Sequence, residues 1–453
     1  MAIFDQHLLQ QAAAEEQRRL LRIQRAWQAY YGQHPRAFKV RPGQADDNVV
    51  VNKAQIICDK SVSFLFGQEV TWSLDADAGI SDAQEQWLEA VWATNRKLAL
   101  LQDLALTGAV TGHAFVKIRL EAPYPRLIDL DPATVFPTWD PHDVSQVLVY
   151  RIQYSGLDPK TGKPRSYRQL IARDGDHWVI TDQESEPDQT IWVTVNEEIW
   201  PYPFAPIVDC QNLPAPQCFW GRSDIEDDLL SVNKARNFIL SNWVKIQRYH
   251  GHPRSWGRGF RAAQLETAAD GTIVFPDKDA ELRNLEMQSD QEGASTLDRR
   301  LDEAIHEMGC TPAVATGKLE SLGDLSGTAL QVLYGPLVEK TIKKRGRYGP
   351  LLVELNRRLL AIQFQRDDLV VSLNWPELLP TDPQEDANVA LLDQQMGIAS
   401  KATLAAKRGY DWDQEQQKIQ AEDSAMGDRM LTAFDRGQSG PDGAGPSADG
   451  RRR

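Results

Sequence analysis

Apolar positions change their period several times along the 453 residues of the chain. Residues 5–31 carry Leu and Ala at helical spacing among Gln, Glu and Arg, and Gly32 and Pro35 end the run. A second helix is predicted over 52–66, closed by Gly67, and a third over 81–107, where Ser81 and Gln84 have capping-box spacing. From Ala114 the pattern becomes alternating and β-branched, with strands predicted over 114–120, 126–130, 135–139, 146–154, 167–173, 177–181 and 190–197. Asp174 and Gly175 supply a hairpin turn between two of these. The first half therefore reads as α+β with an antiparallel sheet.

Pro201, Pro203, Pro206, Pro214 and Pro216 interrupt regular structure. Ser223 and Glu226 then form a capping box, predicting a helix start at Ser223. Asp224, Glu226, Asp227 and Asp228 would face its positive end, Lys245 and Arg248 its negative end. Ile225, Leu229, Val232, Ile239, Trp243 and Ile246 keep one apolar face, interrupted by Arg236. A basic and aromatic stretch follows, with Arg248, Tyr249, His250, His252, Arg254, Trp256, Arg258, Phe260 and Arg261. A short strand is predicted over 272–276, after Asp270 and Gly271. Ser289 and Glu292 open a further helix whose apolar line is Leu297, Leu301, Ile305 and Met308; Gly309 and Pro312 end it. Two helices thus flank an inserted module. Residues 313–327 read as a loop and 328–363 as one long helix kinked at Pro336 and Pro350. Trp375 and Pro376 close this segment, and the pattern is helical again from Pro383, punctuated by Gly397 and Gly409. The Gly, Pro, Ser and Asp stretch from Gly437 is predicted to be disordered, and no role is assigned to the three terminal Arg.

A net charge of -14 makes the chain a poor candidate for tight, general duplex binding, which rests on Lys and Arg against phosphates. Cys58, Cys210, Cys218 and Cys310 form no C-x-x-C pair, so synthesis in a reducing cytoplasm is expected. No apolar run is long enough to span a bilayer.

Catalytic signatures fail one by one. Thr161, Gly162 and Lys163 are followed by Pro164 where a phosphate loop needs Ser or Thr. Gly257, Gly259 and Ala262 follow a helix rather than a strand, which argues against a dinucleotide site. Gly221 and Ser223 lack the closing Gly of a nucleophile elbow. His306 and Cys310 share a helix face, but two ligands do not complete a metal site, and His250 with His252 is equally weak. The acids at 224–228 suit nuclease chemistry in principle, yet helix-end charge already explains them. No catalytic residue, metal ligand or cofactor is expected.

The order of elements resembles the portal proteins of tailed bacteriophages. Tyr30, Tyr31, Gly32, Gln33 and His34 are similar to that family, as is the run from Asn48, Val49, Val50, Val51 and Asn52 through Ile57, Asp59 and Ser63 to Leu65, Phe66 and Gly67. Residues 108–116, 128–132 and 135–137 resemble its "G-x-A-F-x-x, I-D-P, V-x-P" series. Ala205, Pro206, Ile207, Val208 and Asn212 followed by residues 221–226 resemble the lead-in to its first stem helix, and residues 375–380 and 397–403 its entry into the crown. Each string alone is weak; their joint order from about Tyr30 to Glu422 makes the match specific.

The resemblance implies an α+β, mainly helical portal fold that closes, usually as twelve copies, into a ring. It implies a wing over 1–222, stem helices over 223–249 and 289–312, a clip over 250–288, a tunnel loop and kinked helix over 313–376, a crown over 377–434 and a tail over 435–453. Leu229, Val232, Ile239, Trp243, Leu297, Leu301 and Ile305 would then pack the stem. Lys318, Leu319, Glu320 and Asp324 would belong to the tunnel loop facing double-stranded DNA. Arg254, Trp256, Arg258 and Arg261 in the clip either dock the motor or touch DNA, or make ion pairs between subunits. The implied partners are the terminase large subunit, the major capsid and scaffolding proteins and head-tail adaptors; no membrane is involved. The implied place is the portal vertex of the virion, with the host cytoplasm during assembly. Translocation needs ATP, and without a phosphate loop here the motor must be a separate protein. A metal-dependent nuclease and a different head-tail adaptor ring are the competing readings.

Overall fold

Among the described residues, four helices and two sheets, of three and five strands, build the first half. The computed structural model describes residues 2–74, 82–186, 191–251, 255–259, 266–267, 273–274, 279–284, 291–316, 327–366, 371–379, 383–407, 412 and 415–419. Two compact units emerge, Met1–Leu378 and Leu379–Arg453. Helix α1 spans Ala2–Tyr30 and α2 Lys53–Phe66, the latter capped by Asn52, whose side chain accepts from Gln55 N at 3.2 Å. Strand β1, Thr71–Leu74, follows.

The single helix expected over 81–107 is two, α3 Asp82–Thr94 and α4 Lys97–Thr111. Arg96 is left-handed between them at φ 53°. Asn95 holds this break, with its amide donating to Val91 O and Pro125 O and its oxygen accepting from Leu127 N. Ser81 lies outside the described residues.

Strands β2 His113–Arg119, β3 Arg126–Leu130, β4 Val135–Asp140, β5 Asp143–Leu157, β6 Pro164–Asp174, β7 His177–Ser185, β8 Val193–Trp200 and β9 Ile207–Gln211 follow. They form a three-stranded sheet, β3-β2-β9, and a five-stranded antiparallel sheet, β4-β5-β6-β7-β8. Gly175 turns the expected hairpin at φ 59°, with Asp174 opposite His177. The sequence pattern gave no sign of β9, whose five residues follow a proline-rich stretch.

Next come α5 Asp227–Gly251, the short strands β10 Ser255–Arg258, β11 Glu266–Thr267, β12 Ile273–Val274 and β13 Glu281–Asn284, and α6 Gln291–Met308. Helix α7, Gly327–Phe364, runs through both Pro336 and Pro350 as one helix. Strand β14, Val371–Asn374, returns to pair antiparallel with β1. The second unit holds α8 Pro383–Gln395 and α9 Lys401–Lys407, separated by Gly397 at φ 71°.

Phe66, Trp92, Leu104, Phe115, Tyr348 and Leu352 sit in one apolar core between helices and sheets. A second cluster, Ala26, Ala29, Ala54, Ile57, Val110, Ile225, Leu229 and Ile305, forms where α1, α2 and α4 meet the bases of α5 and α6. Its small residues allow close helix approach. At one point only backbone fits: a Cβ on Gly112 would lie 2.6 Å from Gly221 O, and one on Gly221 would lie 2.4 Å from Gly112 O.

Candidate assembly elements

The turn before α5 is fixed from both ends. Ser223 Oγ accepts from Ile225 N at 3.0 Å and lies within hydrogen-bond distance of Ala109 O and Val110 O. Glu226 reaches back to Ser223 N at 2.9 Å, completing the capping box. The helix itself begins at Asp227, four residues later than expected. Asp227 and Asp228 do occupy its first turn.

Asp224 does something else. It is buried, with Oδ1 3.4 Å from Lys340 Nζ and Oδ2 2.6 Å from Lys344 Nζ. Asn212 Nδ2 donates to its Oδ1 at 3.2 Å. Burial pushes this carboxyl up, but the two ammonium groups and a hydrogen bond from Ser61 overcome that and hold it at about 2. Lys340 also donates to Gly309 O at 2.9 Å, just past the end of α6. One buried charge cluster thus ties the start of α5, the end of α6 and the middle of α7. Its distance along the chain hides it from a local sequence reading.

Helix α5 also grips an extended segment. Asn233, Asn237 and Ser241 are all buried and stand four residues apart. They accept from Lys53 N at 3.2 Å, Val51 N at 3.0 Å and Val49 N at 2.9 Å. Asn233 Nδ2 donates back to Val51 O at 3.0 Å. Four helical residues advance about 6.0 Å and two extended residues about 6.6 Å, so the two repeats stay in step over three rungs. The spacing was visible in the sequence, but its partner segment was not.

Arg236, the break in the apolar face of α5, reaches α6. It lies 2.8 Å from Asp298 and 2.9 Å from Asp302. Lys53 meets Asp302 at 2.6 Å. His306 Nδ1 lies 2.6 Å from Thr311 O and Nε2 3.2 Å from Lys53 Nζ. An ammonium only donates, so Nε2 accepts and Nδ1 carries the proton. Both ring nitrogens therefore have structural partners.

The expected stem residues fall in graded environments. Leu229 and Ile305 are buried in the second apolar cluster, with Val232 packed against it. Ile239, Trp243 and Leu301 are half-buried, and Leu297 is 47% exposed. Strands β10 and β13 pair antiparallel, setting Trp256 opposite Arg283 and Arg258 opposite Glu281. Trp256 is exposed, and Arg258 Nε lies 3.1 Å from Glu281, which also pairs with Arg283. Arg248 meets Asp47 at 2.6 Å. Arg254, Arg261, Ser289, the four tunnel-loop residues Lys318, Leu319, Glu320 and Asp324, and the tail lie outside the described residues.

Two groups resemble reactive sites at first sight. His113 Nε2 meets Asp209 at 2.9 Å, and Tyr150 donates to the same carboxylate at 3.0 Å, beside a cavity of about 730 Å³. The nearby Cys210 thiol is pushed up by burial, the opposite of an activated nucleophile. Among the described residues no group of three His, Cys, Asp or Glu is placed to hold a metal ion, and no helix is long and apolar enough to cross a membrane.

The family model described as "Phage portal protein, SPP1 Gp6-like" matches residues 9–427. The chain belongs to that portal family. The portal is a structural subunit of a virion, and the α+β architecture agrees with that assignment. Two similar solved chains come from "Virion of native gene transfer agent (GTA) particle", at 13% identity, and "Neck of empty GTA particle computed with C6 symmetry", at 11%. Each has a TM-score of 0.40, with 79% of this portal and 88% of the other chain covered. No curated protein matches this portal.

Proposed function

We propose that this portal subunit closes with further copies, twelve in the family's usual arrangement, into a ring at one capsid vertex. Double-stranded DNA passes through the ring during packaging and ejection. The observation that carries the reading is the match over residues 9–427, which takes in α5, strands β10 to β13, α6 and α7. In this reading residues 223–249, with α5, and 289–312, with α6, are the stem, residues 250–288 the clip, residues 316–327 the tunnel loop and residues 377–434 the crown. The clip docks the terminase large subunit and then the neck adaptors, and the ring contacts capsid and scaffolding proteins.

A net charge of -14 supports a passage rather than a clamp. Duplex DNA carries one negative charge per about 1.7 Å of axis, and a lining dense in Lys and Arg would hold it. The nuclease reading loses one of its candidate acids: Asp224 is buried and held by two lysines.

Negative-stain microscopy of the purified protein tests the proposal. Rings with a central hole are expected at micromolar concentration. A chain that stays monomeric across a range of salt conditions overturns it.

A further inference from the structure

The five-stranded sheet has two edges of different chemistry. At one edge β8 pairs only with β7 among the described residues. Val193, Val195 and Ile199 are exposed there by 62%, 60% and 63%. Glu197 and Glu198 stand beside them, also exposed, with no cation within ion-pair distance among the described residues. An unpaired edge with exposed β-branched residues is a ready surface for another chain.

At the opposite edge a groove of about 940 Å³ runs between α1 and β4. Pro137 in β4 has no N–H to offer a further strand, which suits an edge covered by side chains. Phe136, Trp139 and Trp220 supply an aromatic wall. Arg19 crosses it, donating to Pro132 O at 2.7 Å with its guanidinium 4.0 Å from the Trp220 ring. Most acids of the groove are matched: Asp227 by Arg25 at 3.3 Å, Glu226 by Arg222 at 3.9 Å and Glu16 by Arg151 at 3.3 Å. Arg18 and Arg22 line the groove with no carboxylate within ion-pair distance among the described residues.

The two edges are four strand spacings apart, about 19 Å. A head-to-tail ring needs two unlike, complementary patches on opposite sides of each subunit. We propose that the β8 edge of one copy docks in the α1–β4 groove of the next. Val195 and Ile199 cover the aromatic wall, and Glu197 and Glu198 meet Arg18 and Arg22. This contact rests on the ring reading above and names the surfaces that close the ring.

Charge reversal and its repair test the contact on the full-length protein. Three variants are made: Arg18→Glu with Arg22→Glu, Glu197→Arg with Glu198→Arg, and all four changes in one chain. Sedimentation velocity and negative stain follow ring formation over a concentration series. Each double variant is expected to raise the assembly midpoint about tenfold, and the fourfold variant to return it to within about threefold of wild type. The rescue separates a lost contact from a misfolded groove, because the repairing changes lie at the far edge of the sheet. Wild-type rings with double variants that assemble equally well overturn this contact and leave the ring reading standing. A fourfold variant no better than the doubles also overturns it. A monomeric wild type overturns both.

Discussion

Asp224 carries a full negative charge in the interior, with a lysine on each oxygen. Removing water from three charges is costly, and only their mutual attraction and the added hydrogen bonds offset it. Asp224→Asn would keep the shape and leave two buried ammonium groups without a counter-charge. We expect a loss of about 3–5 kcal/mol, read from denaturant melts. The pH dependence has a definite sign. The folded carboxyl is held at about 2, below its value in the unfolded chain, so the unfolded state binds the proton first. Stability is full above pH 4 and falls as pH drops from about 4 to 2, a slope that Asp224→Asn should flatten. The sequence placed Asp224 in a run of acids and assigned them all to the helix dipole. That holds for Asp227 and Asp228 but not for Asp224, whose Lys344 partner lies 120 residues away. Nothing local distinguishes the three.

At the scale of elements, α5 is held by polar rungs as well as by its apolar base. Asn237→Ala would leave the half-buried Val51 amide without its partner, at a cost of about 1 kcal/mol. Hydrogen exchange at Val51 should quicken in that variant more than exchange within the β5–β6 pair; equal protection would show the rung to be inert. Helix α7 was legible despite two prolines, because apolar spacing continues across both. Each proline removes only one backbone bond from a helix packed along much of its length. The break at Asn95 and Arg96 was not legible, since no Gly or Pro marks it. Asn95 makes it through contacts with Pro125 and Leu127, which only the fold brings near. The β1–β14 pair was hidden for the same reason, its strands being four residues each and far apart in sequence.

For the whole molecule, family membership was readable from the order of many weak strings, and the match over residues 9–427 agrees with it. Which strands form the sheet edges was not readable, because strand order depends on packing: among the described residues β8 pairs only with β7. If residues 316–327 narrow a DNA passage, deleting Leu319 to Leu325 should leave ring assembly intact. Packaging or retention of DNA in a competent phage should fall; undiminished packaging would remove that role from the loop. The rungs between α5 and the segment at Val49, Val51 and Lys53 bear on how α5 can move against that segment. A helix that slips by one residue turns about 100°, swinging every rung away from its amide. Register returns only after four helical residues pass two extended ones. The joint therefore behaves as a detent with notches about 6 Å apart, resisting small twists and yielding, if at all, by a whole notch.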